Sequence, residues 1–160
     1  MARLRRSSPS PAREVLNGAL AGAAGTTALD VVTYLDMTLR NRPPSEVPEQ
    51  AVEKMANAVG VSLPDGRRAG LGALLGYAAG LGIGTAYGAL RSRVRWSPPL
   101  PLAGVALGFG AMAATDAPIV GLGLSDPREW GVSGVLSDVV PHVVYGVVTA
   151  VAYDALSGSS

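Results

Sequence analysis

Four stretches of this chain are long, apolar and nearly free of charge, and no other property restricts its fold so strongly. Between Val15 and Leu39 the only formally charged side chains are Asp30 and Asp36, between Ala69 and Leu90 there are none, and Leu102 to Leu124 holds Asp116 alone. A fourth run, Gly134 to Leu156, carries Asp138, His142 and Asp154 in otherwise Val-rich sequence. Each run is roughly 22 to 25 residues, enough for a helix rising ~1.5 Å per residue to cross a ~30 Å hydrocarbon core. The pattern predicts transmembrane helices over 15–38, 69–90, 102–124 and 134–156. A soluble Ala/Gly-rich bundle is the competing reading, and uncharged runs of this length count against it. The expected fold class is therefore all-α: a four-transmembrane-helix bundle forming one membrane domain over 15–156, with a disordered basic tail at 1–14 and a short C-terminal tail at 157–160.

Composition agrees. Of 160 residues 48% are hydrophobic and only 16% charged, which is too apolar for an ordinary soluble domain. The absence of cysteine excludes disulfides and thiolate metal sites. The tail, "ARLRRSSPSPAR", places Arg3, Arg5, Arg6 and Arg13 where anionic headgroups can be reached, and the apolar run after it is too long for a cleaved signal peptide. With Arg91, Arg93 and Arg95 those arginines lie on one side of the membrane; Arg40, Arg42, Lys54, Arg67, Arg68 and Arg128 lie on the other. The two sides are nearly balanced, so the first helix and its tail decide, and both termini are expected to be cytoplasmic. The lipid bilayer is the expected partner; no nucleic-acid partner and no cofactor is expected.

The loops have structure of their own. In "PPSEVPEQAVEKMANAVG", Val47, Ala51, Met55 and Val59 recur every four residues ahead of Gly60, which predicts a short amphipathic helix in the first loop, on the membrane surface or capping the bundle. In "SDPREWG", Asp126 as N-cap, Pro127 and Glu129 predict a capped turn leading into the fourth span, with Trp130 at the interface.

The spans match in pairs. Gly18, Gly22, Ala28 and Asp30 align with Gly104, Gly108, Ala114 and Asp116, while Gly80 and the "AY-AL" positions Ala86, Tyr87, Ala89 and Leu90 align with Gly146 and Ala152, Tyr153, Ala155 and Leu156. The two shifts differ by about the excess length of the first loop over the third, as in a duplicated helical hairpin, and the implied pseudo-two-fold axis is parallel to the membrane normal. The second span adds a glycine zipper, Gly72, Gly76, Gly80, Gly84 and Gly88. Such a stripe lets another backbone approach closely, and helices in lipid associate largely through this kind of packing. Gly18 and Gly22, or Gly104 and Gly108, offer matching faces within the chain; a homo-oligomer through the glycine faces is the alternative.

Ionisable groups inside a membrane cost ~2.5 to 3.5 kcal/mol or more each, so they require partners or water. Asp30, Asp116, His142 and Tyr77 all fall on the order of 12 Å below one membrane surface, counted from the expected span ends at ~1.5 Å per residue. Asp138, His142, Tyr145 and Thr149 form a stripe on the fourth span, and Pro141 and Pro118 break the helical ladder beside them. Cost predicts one polar cluster of Asp30, Asp116, Asp138 and His142 with Tyr77 and Tyr145 near. Such a cluster is either a closed hydrogen-bond network that holds helix register, a proton or cation site of a small transporter or channel, or, with two Asp and one His, a metal or catalytic site. No second His and no nucleophile–His spacing supports the last, so no enzyme and no metal is expected. Asp36 and Asp154, near span ends, are expected to be solvated among headgroups.

At "RPPSEVP", "LAGVAL", "PIVGL" and "EWGVSGVLSDVVPHVVYG" the sequence resembles the YagU-type family of uncharacterised bacterial inner-membrane proteins, and its Ala/Gly/Arg-rich composition is similar to actinobacterial integral membrane proteins. The resemblance is clearest over Leu102 to Leu156. It implies a bacterial plasma membrane and carries over no functional residue.

Overall fold

The computed structural model describes residues 10–94 and 98–158. It contains five α-helices: α1 (Pro11–Arg40), α2 (Val47–Ala58), α3 (Asp65–Arg93), α4 (Leu100–Gly121) and α5 (Val132–Ser157). Four of them, α1, α3, α4 and α5, are long and apolar enough to cross a membrane.

Local chemistry sets the helix ends. Ser10 caps α1 by accepting the Arg13 amide at 3.3 Å, and Pro11 fills the first turn, where a missing N–H costs nothing. The helix thus starts ahead of the expected boundary at residue 15, taking residues 11–14 out of the basic tail. The tail's Arg3, Arg5 and Arg6, with Arg95 of the second loop, lie outside the described residues. Helix α4 stops at Gly121, short of the expected 124, since Leu122 closes back onto the Pro118 carbonyl at 2.9 Å. Asp126 caps a single 3-10 turn, Pro127–Glu129, by accepting the Arg128 amide at 2.9 Å. Trp130 and Gly131 separate this turn from α5, so the capped turn precedes the fourth span without being continuous with it.

Around the bundle the order is α3, α1, α5, α4. The pairs α1–α3, α1–α5 and α4–α5 pack extensively, while α3 and α4 touch lightly. The matched glycines occupy matched places. Gly18 and Gly22 of α1 face Gly80, Gly84 and Gly88 of α3, and Gly104 and Gly108 of α4 face Gly146 and the backbone at Val143 and Val147 of α5. An added Cβ on Gly22 would stand 2.6 Å from the Gly80 carbonyl oxygen, and one on Gly108 would stand 2.6 Å from that of His142. Three of the five glycines in the α3 stripe therefore meet α1. Gly72 packs on Pro48 of α2, and Gly76 meets nothing within 4 Å. A four-residue step advances 400° on a helix, so the stripe rotates away from α1 and leaves Gly76 on the outside.

The interior is made of small residues and two tyrosines. Ala21, Thr149 and Ala150 are fully buried, with Tyr145 and Tyr153 almost so. The large apolar side chains point outward, among them Leu16, Leu20, Val31, Leu74, Phe109 and Val151. In water that surface would be untenable; against lipid tails it is the natural solvent-facing side, and helices that gain nothing from water exclusion pack through small residues instead. The molecule is a multi-pass membrane protein. Helix α2 caps the outer end, the end away from the N terminus. Its Ala51 is buried, Glu53 pairs with Arg68 at 2.9 Å, and Lys54 donates to the Leu122 carbonyl at the end of α4.

Candidate functional site

Helices α4 and α5, drawn together by Gly104, Gly108 and Gly146, bring Thr115 and Asp116 opposite Asp138 and His142. The His142 Nδ1 lies 3.0 Å from Asp138 Oδ1 and 2.9 Å from the Asp138 carbonyl oxygen. Both neighbours are acceptors, so Nδ1 carries a proton. On the far side of the ring Nε2 lies 3.3 Å from Thr115 Oγ1, which is also 3.1 Å from the carbonyl oxygens of Ala111 and Met112. The hydroxyl has one hydrogen to give. Donated to Nε2, it leaves a neutral imidazole; donated to a carbonyl, it presents its oxygen to an Nε2–H, which is an imidazolium. The charge on His142 is thereby tied to the direction in which the Thr115 hydroxyl points its hydrogen.

The carboxyl of Asp116 lies against that of Asp138, close enough to share a proton with it, and within electrostatic reach of His142. Among the described residues no Lys or Arg is among the groups acting on Asp116 or His142. Charge balance here depends on protons held by three side chains. Asp116 sits five residues before the end of α4, on the order of 8 Å from the outer end at ~1.5 Å per residue. Pro118 and Pro141 lie inside α4 and α5 beside these groups, and each removes an amide donor from the helical ladder. Among the described residues no three His, Asp or Glu side chains are placed to hold a metal ion.

The remaining members of the expected cluster are distributed differently. Asp30 interacts with the Tyr77 hydroxyl, with Tyr34 also nearby. Asp30 is on α1 and Asp116 on α4, helices at opposite corners of the order around the bundle, so each acid finds its partner within its own glycine-linked pair. Tyr145 points between α1 and α3, where its hydroxyl donates to the Gly80 carbonyl at 2.7 Å. The polar stripe on α5 thus serves α4 at its outer half and α1 and α3 further in.

Two polar clusters were not legible as such. At the inner end Glu14, buried, accepts from the Tyr153 hydroxyl and, at 2.9 Å, from Ser157, and Ser157 accepts from Asn17 at 3.2 Å. Beside them Arg91 pairs with Asp154 at 3.1 Å and donates to the Tyr87 hydroxyl at 2.7 Å. Its guanidinium lies over the rings of Tyr87 and Tyr153, which meet edge to face at 5.1 Å. These two tyrosines are the ones that the sequence match aligns. At the outer end Asp36 takes Arg40 at 2.7 Å, Arg42 at 3.0 Å and the Ser137 hydroxyl at 3.1 Å, while Arg40 reaches Ser133 and Ser137 of α5. Asp154 is therefore ion-paired across to α3, and Asp36, ion-paired at the end of its own helix, accepts from Ser137 of α5, in contrast to the solvated role expected of both. The i, i+4 spacing of Asp36 and Arg40 and the repeated tyrosine were the available signals. Comparison with known protein families, characterised proteins and solved structures finds no match to this chain.

Proposed function

We propose that the protein is a structural or accessory membrane bundle, in which the Asp116–Asp138–His142 cluster holds α4 and α5 in register. The observation that carries this reading is closure. The α1–α3 and α4–α5 seams are in backbone contact at glycines, arginine clamps bind α1 and α3 to α5 at the two ends, and Tyr145 and Thr149 fill the centre with 2% and 0% exposure. A carrier needs a path between its two sides, and this interior offers little room for one. We place the protein in a bacterial plasma membrane with both termini cytoplasmic, on the resemblance of its second half to YagU-type proteins and on its basic N-terminal tail.

A second reading has one specific observation behind it. Among the described residues the α4–α5 cluster has no arginine of the kind that completes each of the other two, so it would exchange a proton or take a cation, as a small coupled transporter or channel requires. Proteoliposomes under an imposed pH, sodium or potassium gradient separate the readings. The structural reading expects no flux from the parent protein and a lower melting temperature for Asp116→Asn. A flux that Asp116→Asn abolishes while the variant melts like the parent would establish the transporter instead.

A further inference from the structure

We propose that a crevice between α1 and α5 at the outer end binds one anionic phospholipid, its phosphate at an arginine lip and an acyl chain in the apolar groove behind. The crevice has a volume of about 360 Å³. Its walls are Val32, Leu35 and Leu39 from α1 with Leu136 and Val140 from α5, and its polar side is Asp36, Arg40 and Ser137. These walls are uncovered by protein: Leu39 is 82% exposed and Leu35 54%. From the lip at Arg40 to Val32 the groove runs eight residues into the span, on the order of 12 Å at ~1.5 Å per residue. Polar groups at the helix end and apolar walls running inward reproduce the order of groups along a lipid.

Charge selects among lipids. Among the described residues Asp36 is the single carboxylate paired with the guanidiniums of Arg40 and Arg42, so the lip carries one unit of positive charge in excess. The α5 groups reaching the lip, Ser133 and Ser137, are neutral. Arg42 spends its Nε on Asp36 and its Nη1 on the Pro43 carbonyl at 3.4 Å, and its Nη2 has no bonded acceptor among the described residues. A phosphate is the anion that geometry suits, since guanidinium N–H groups bind it with charge-assisted hydrogen bonds. A zwitterionic headgroup would bring a cation of its own to the arginines and gain less.

Native mass spectrometry of the delipidated protein, titrated with phosphatidylglycerol or phosphatidylcholine of identical chains, tests this directly. One phosphatidylglycerol per chain is expected, held about fivefold more tightly than phosphatidylcholine, the factor that roughly one basic residue contributes near a membrane surface. Arg42→Gln, which leaves the Arg40 contacts to α5 in place, should remove the preference. Val140→Trp should fill the groove and lower retention of both lipids; Leu39→Ser, at an exposed wall position where folding does not depend on the side chain, should do the same if the tryptophan variant fails to fold. Equal retention of the two lipids by the parent would overturn the proposal, as would a preference that survives Arg42→Gln. A dimer that Val140→Trp dissociates would show that a second copy occupies the groove instead.

Discussion

Replacing Gly84 with alanine places the methyl group where α1 and α3 are closest. Its Cβ would stand 2.5 Å from the Gly22 Cα and 2.8 Å from the Gly22 amide nitrogen, with the Gly18 carbonyl oxygen also in the way. Non-bonded carbon atoms rest about 3.5 to 4.0 Å apart. All the clashing atoms are backbone, so no rotamer change relieves them, and the helices must part by about 1 Å. That separation also loosens Gly22 against Gly80 and Gly18 against Gly88. Overpacking costs about 1–3 kcal/mol, and alanine recovers about 1 kcal/mol of helix propensity, leaving a net loss of up to about 2 kcal/mol. Gly76→Ala is the internal control, since its Cβ would meet nothing within 4 Å. It should be neutral or stabilise by up to about 1 kcal/mol. Thermal unfolding of both variants in the same detergent should therefore place Gly84→Ala several degrees below the parent and Gly76→Ala at or above it. Equal melting temperatures for the two variants would refute the packing scheme.

Two further outcomes follow from the polar clusters. Tyr153→Phe removes a hydroxyl donor from the buried Glu14 carboxylate and should cost about 1–3 kcal/mol in the same unfolding assay, because the acceptor stays buried with one fewer partner. Asp138→Asn replaces the carboxylate facing the His142 Nδ1 with an amide and weakens the charge-assisted bond across one turn of α5. Faster hydrogen exchange at the outer turns of α4 and α5 is expected, with α1 and α3 unchanged; uniform exchange across the bundle would contradict the division of the polar groups into pairs.

The spans were legible because membrane crossing writes its requirement into composition: about twenty residues without charge leave few alternatives. Gly18, Gly22, Gly104 and Gly108 were legible as packing faces for a related reason, since lipid-embedded helices approach through small residues. Helix order around the bundle was not, because a glycine face does not specify which matching face it meets. Asp30 shows the consequence. Its depth follows from counting along α1, yet its partner depends on α1 lying beside α3 and α5 with α4 at the far corner, and no residue count contains that. Glu14 was hidden differently: its neighbours Arg13, Pro11 and Ser10 read as tail, and only the positions of Tyr153 and Ser157, about 140 residues on, make it an interior residue.

The central claim is four crossings, and the lack of native cysteine allows a clean test of it. Single cysteines at Ser10, Ser62, Pro99 and Arg128, each at or beyond a helix end, are to be probed with a membrane-impermeant maleimide in sealed vesicles of known orientation. Alternation is predicted, with positions 10 and 99 labelled from one side and positions 62 and 128 from the other. Labelling of all four from the same side, or a protein that stays dispersed in water without detergent, would contradict the account.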